Sequence, residues 1–128
     1  MKPGIQVVCW YGAARVAGAL RPKWRRPPPG DPRPAETGIS VIIPSRNGKL
    51  LLEAQLPAIA RDLESFTAEI IVVDNGSSDG TAAWLRATWP QVRFEVSSEP
   101  LSFARAVNRG IAVARYSHVC LLNNDMLI

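Results

Sequence analysis

From residue 39 onward, apolar positions fall in two alternating rhythms. Residues 39–43 form a short apolar run closed by Pro44, the pattern of a strand buried on both faces. Leu52, Leu56, Ile59 and Leu63 then recur at helical spacing. Pro57 falls inside that stretch and predicts a late start or a kink. Residues 70–73 read as a second buried strand, closed by Asp74-Asn75-Gly76. Asp79 is placed to cap a helix carrying Trp84 and Leu85, and Pro90 ends it. Residues 92–96 are a third strand. Phe103, Ala106, Val107, Gly110, Ile111 and Ala114 make one helical face. Residues 118–122 form a fourth strand that runs into Asn123-Asn124-Asp125.

Strands alternating with helices predict an α/β, Rossmann-like domain. Its sheet is mostly parallel, its crossovers are right-handed, and helices cover both faces. Ligands of such sheets sit beyond the carboxyl ends of the strands. The segments that follow the strands are therefore where chemistry is expected.

The chain before residue 39 is different. Residues 5–20 are apolar and small, interrupted by Gln6 and Arg15, and too short for a span of about twenty apolar residues. Ala17-Gly18-Ala19 only superficially fits a signal-peptidase site. Residues 1–20 read either as a membrane-surface segment or as an amphipathic lead-in packed on the domain. Residues 21–38 hold Pro22, Pro27, Pro28, Pro29, Pro32 and Pro34, which predicts a stiff extended linker. Residues 39–128 are the domain proper.

Composition sharpens this division. The 128 residues are 47% hydrophobic with a net charge of +4. The cations crowd the front: Lys2, Arg15, Arg21, Lys23, Arg25, Arg26 and Arg33. That fits an anionic membrane surface met peripherally. The remainder is mixed in sign and lacks the aromatic-plus-basic interleaving of single-strand binders, so nucleic acid is not the expected partner. The two cysteines, Cys9 and Cys120, have no metal-type spacing, and the compartment reads as reducing and cytoplasmic.

Three polar clusters follow strands: Pro44-Ser45-Arg46-Asn47-Gly48, residues 74–81, and Asn123-Asn124-Asp125. None is a GxGxxG or GxxxxGK[ST] loop. His118, the one histidine, opens a strand and reads as a surface residue. A carboxylate at Asp74 can accept an N–H from a base edge, which uracil and thymine offer at N3 and guanine at N1, but cytosine does not. It can equally just start a turn. Asp125 can hold a divalent cation that bridges to phosphate, with Asn123 adding a neutral oxygen, or can be a turn residue.

Four stretches, SVIIPSRNG, EIIVVDNGSSDGT, FARAVNRGIAVA and LLNNDM, together resemble the inverting nucleotide-sugar glycosyltransferase family 2 of the GT-A fold. The resemblance covers residues 39–128. It implies that Pro44 and Arg46 lie beside base and ribose, that Asp74 bonds the base, and that Asn108 lines the nucleotide pocket. Asn47, Asn75, Ser77, Asp79 and Asn124 complete the expected nucleotide site. Asn123 and Asp125 match the first and last positions of the family's DxD metal motif, which implies Mg²⁺ or Mn²⁺. The implied partners are a nucleotide-diphosphate sugar, UDP- or dTDP-type favoured, and an unknown acceptor hydroxyl.

Asn123 departs from the family's usual first Asp. The family's catalytic base is expected downstream of Ile128, so the chain reads as an incomplete enzyme that does not transfer sugar alone. The rivals are a nucleotidyltransferase, which SRNGK fits poorly because it is short and poor in glycine, and a non-catalytic nucleotide-binding or interaction module.

Overall fold

The computed structural model describes residues 36–126. The lead-in, the linker up to residue 35 and Cys9 lie outside the described residues. The chain forms β1 (Glu36–Ser45), α1 (Lys49–Leu63), β2 (Ala68–Asn75), α2 (Thr81–Thr88), β3 (Arg93–Ser97), α3 (Phe103–Val113) and β4 (Tyr116–Leu121). The four strands make one parallel sheet in the order β3-β2-β1-β4, the α/β architecture expected from the alternation.

Successive strand residues face opposite sides of the sheet, and the core divides accordingly. Val41, Ile43, Ile70 and Val72 pack with Leu52, Leu56 and Ile59 of α1 and Leu85 of α2. Ile42 and Val73 face the other way, against Ala106 of α3. The chain moves from β1 out to β3, with α1 and α2 on one face. It then returns through α3 on the other face to place β4 beside β1. The direction of winding reverses between β1 and β4, the kind of point where ligands bind in open parallel sheets.

Gly110 lets α3 approach the sheet. A Cβ there would stand 2.5 Å from Ile42 Cγ2 and 3.1 Å from Val73 Cγ2.

Some details differ from those expected. Residues 36–38, assigned to the linker, are strand: Glu36 pairs with Tyr116, and Ile39 donates its N–H to Thr67 O at 2.9 Å. Pro57 neither delays nor ends α1, which starts at Lys49 and runs through it. The proline is exposed, so the carbonyl it deprives of a partner, that of Glu53, lies on the exposed side. The N-cap position of α2 is Gly80, at φ 82°; Asp79 stands one residue before it and still caps the helix, its Oδ1 accepting the Thr81 N–H at 3.1 Å.

The amino-terminal edge of the sheet is tied by Glu69. Its carboxylate accepts Ser40 Oγ at 2.7 Å, the Arg115 N–H at 2.7 Å, Arg93 Nη1 at 2.9 Å and Arg115 Nε at 3.1 Å. Burial pushes its pKa up. The Arg115 N–H, the Ser40 hydroxyl and Arg93 outweigh that and hold it below the usual glutamate range. His118 is exposed on β4, with Nδ1 3.3 Å from Gly38 O, while Cys120 is half-buried against the core. Among the described residues, no helix is long and apolar enough to cross a membrane.

Candidate functional site

The carboxyl edge of the sheet carries the polar clusters. Register sets Ser45 beside Asp74, and Asn75 beside Ser97. Asp74 is 2% exposed, and its Oδ1 accepts the Ser77 N–H at 3.1 Å. This closes the β2–α2 loop over the strand end. Gly76 makes the bend at φ 70°, where a Cβ would also stand 3.0 Å from Pro100 N, so the position requires glycine on two counts.

The β1–α1 and β2–α2 loops are laced together. Asn47 adopts a left-handed backbone, φ 51°, which asparagine tolerates. Its N–H donates to Ser77 Oγ at 2.9 Å, and its Oδ1 accepts the Ser78 N–H at 2.8 Å. Asp79 serves both helices: Oδ2 accepts the Lys49 N–H at 3.0 Å, and Oδ1 accepts the Thr81 N–H at 3.1 Å along with the Thr81 hydroxyl. Each N–H is the first of its helix and has no intrahelical acceptor. Desolvation raises the pKa of Asp79, but these donors, led by the Thr81 hydroxyl, bring it below the usual aspartate range. Asn75 braces the third loop, donating to Leu101 O at 2.9 Å and accepting the Leu101 N–H at 2.6 Å.

The turn after β4 closes the other side. Leu122 continues the pairing by donating its N–H to Ile42 O at 2.9 Å. Asn124 Nδ2 donates to Ser45 Oγ at 2.9 Å, and Gly48 leaves the room for it, since a Cβ at 48 would stand 2.2 Å from that nitrogen. Gln55 of α1, only 4% exposed, donates through Nε2 to Asn123 O and Met126 O, each at 3.0 Å. Asp125 lies between those carbonyls in sequence and is exposed.

The expected residues thus fall into two groups. Asn47, Asn75, Ser77, Asp79 and Asn124 bond to neighbouring loops and build the edge. Arg46 and Asn108 are exposed and Pro44 is half-buried, while Asp74, Asn123 and Asp125 sit at the ends of β2 and β4. Gln55 and Gly48 were not singled out from sequence. The signal for Gln55 was present, because it interrupts the buried stripe between Leu52 and Leu56. A cavity of about 350 Å³ opens near the opposite edge, lined by Phe66, Glu69 and Trp89 among others, and holds none of the expected nucleotide residues.

Among the described residues, no three His, Cys, Asp or Glu side chains converge to hold a metal ion. The Asp125 carboxylate and the Asn123 amide oxygen are both hard donors of the kind Mg²⁺ or Mn²⁺ takes, and an ion held there would need most of its ligands from elsewhere.

A model of "Glycosyl transferase family 2" matches residues 40–128. The uncharacterized glycosyltransferase YfnE of Bacillus subtilis (strain 168) is 39% identical over 90 residues, which cover 70% of this chain and 21% of that protein. The mannosyltransferase PcManGT from Pyrobaculum calidifontis, solved with GDP-Man and Mn²⁺, superposes with a TM-score of 0.60 at 27% identity. That match covers 80% of this chain and 32% of the other. Glucosyl-3-phosphoglycerate synthase from Mycobacterium tuberculosis, solved with Mn²⁺, UDP and glucosyl-3-phosphoglycerate, gives 0.59 at 24% identity, over 86% of this chain and 41% of that one. The chain therefore spans well under half the length of each of these relatives.

Proposed function

The chain belongs to glycosyl transferase family 2, and we propose that it is the donor-binding part of a glycosyltransferase that uses a nucleoside-diphosphate sugar. The observation that carries this is the buried carboxylate of Asp74 at the end of β2, in a laced loop edge beside the switch point between β1 and β4. Such a carboxylate recognises a base with an N–H on its edge. UDP and dTDP sugars are the favoured donors. GDP sugars share the required N–H and are the second reading, supported by the likeness to a mannosyltransferase solved with GDP-Man.

In this reading, Pro44 and Arg46 flank the base and ribose, Asn108 approaches the nucleotide from α3, and Asp125 with Asn123 faces the diphosphate. A divalent cation held there would stabilise the leaving diphosphate as a Lewis acid. Asp74, Asp79 and Asp125 all have other tasks, so none is assigned as the base that would deprotonate the acceptor hydroxyl. The basic lead-in would give peripheral contact with the cytoplasmic face of a membrane.

Calorimetry with UDP, GDP and CDP tests the donor reading. The wild-type chain should prefer UDP or GDP to CDP. Asp74→Asn can keep the Ser77 bond but offers a donor where the base also donates. It should weaken UDP by about 1.5–3 kcal/mol, roughly 10- to 150-fold, and narrow the gap to CDP. Equal affinities for all three nucleotides in both proteins would remove Asp74 from the site.

A further inference from the structure

Gln55 is a buried amide on a helix whose other buried positions are the apolar Leu52, Leu56 and Ile59. Its orientation is fixed by its partners. Nε2 meets two carbonyl oxygens, Asn123 O and Met126 O, and the reversed amide would set an oxygen against both. Oε1 is buried without a hydrogen-bond partner. An apolar side chain would fill the helix face without that orphan, so packing alone gives no reason for an amide here. What the amide does is hold the backbone on both sides of Asp125. The same side chain lines a cavity of about 60 Å³ with Asn124, Asp125 and Met126, so helix and turn meet at this spot. No ion pair among the described residues restrains Asp125.

We propose that Gln55 is a positioning residue for the cation-binding turn, fixing where the Asp125 carboxylate stands relative to the diphosphate. This rests on the donor reading above, in which Asp125 meets a nucleotide-bound cation. Residues that orient a metal ligand act through it, and their loss typically costs about 10- to 100-fold in metal affinity.

The test uses the full 128-residue chain, Gln55→Met, which keeps the shape and loses both donors, and Gln55→Glu, which also turns the buried group into a second acceptor. UDP affinity is measured by calorimetry with Mn²⁺ and with chelator, and thermal unfolding is followed in parallel. In the wild type, Mn²⁺ should raise UDP affinity. In both variants that enhancement should fall about 10-fold or more, while the chelator value, read on protein still folded by its unfolding curve, stays within about twofold. Should Gln55→Met unfold early, Mn²⁺ titration of the same variant at a temperature below its midpoint carries the same comparison. An enhancement retained in a folded variant overturns the proposal. So does an equal loss with and without Mn²⁺, which marks a merely structural role. Absence of any enhancement in the wild type overturns the cation reading itself, and Gln55's role with it.

Discussion

Asp79 and Lys49 are joined by a hydrogen bond of 3.0 Å between residues thirty apart in sequence. The second loop thereby supplies the first acceptor of the first helix, while the same carboxylate holds the Thr81 N–H. Asp79→Ala strands both amide groups at once. An ordinary cap deletion costs about 0.5–2 kcal/mol, and the double duty places this one in the upper half of that range. Asp79→Asn, with one acceptor left, should lose less. Urea unfolding of the three proteins measures the order, and an Asp79→Ala chain as stable as wild type would show that neither bond contributes.

Acid should expose the same dependence. The folded-state pKa values of Asp79 and Glu69 are both lowered, so the unfolded chain takes up protons first as pH falls. Their stabilisation is present above the unfolded values, about 4, and is lost as pH drops through the lower folded values. The unfolding midpoint in urea should be flat from about pH 7 to 5 and decline below about 4. In Asp79→Asn the decline should be shallower. Identical slopes in the two proteins would remove Asp79 from the linkage.

Gly110→Ala sets two effects against each other. Alanine gains up to about 1 kcal/mol of helix propensity. Its methyl group, however, would stand 2.5 Å from Ile42, which has no exposed surface to yield into. Overpacking a tight core costs about 1–3 kcal/mol, so the net change should be destabilising. A higher melting temperature for Gly110→Ala would show that α3 can lift off the sheet cheaply.

On the proposed donor reading, Asp125→Asn should abolish the Mn²⁺ enhancement of UDP binding and leave chelator-treated binding nearly unchanged, because the carboxylate would meet the nucleotide only through the cation. Calorimetry in the two conditions decides it. If chelator leaves wild-type affinity unaltered, the metal assignment of Asp125 and Asn123 fails.

The lead-in should carry membrane-surface affinity. Each cation near an anionic surface contributes about 1 kcal/mol. Removing residues 1–35, which leaves β1 intact from Glu36, should abolish flotation with anionic vesicles and leave nucleotide affinity unchanged. Equal flotation of the two chains would leave residues 1–35 without this role.

The strand–helix alternation was legible because each strand is a short apolar run ended by polar residues, and each helix repeats its apolar face. The common edge of the three polar clusters followed from the parallel topology alone. Local pattern could not say which of those polar groups bond to one another. Asn75 and Leu101 are 26 residues apart, and Asn47 and Ser78 are 31 apart. Several residues read as ligands also lace the loops together. Pro57 allowed a late start or a kink; α1 starts at Lys49 and continues past the proline, which sits on its exposed side. Gln55 was marked by its polar side chain in the buried stripe of α1, but its partners are main-chain carbonyls, which carry no residue signature.

The bond from Asn124 to Ser45 spans 79 residues, and β4 leaves the ribosome after the other three described strands. β1, β2 and β3 can assemble on α1 and α2 while synthesis continues. The crevice beside β1, however, has only one wall until β4 arrives. A nucleotide that needs both walls would then act as a late check on folding. It would leave the early layer to stand on its own packing and would select, by binding, the chains in which α3 has carried β4 back to the correct side of β1.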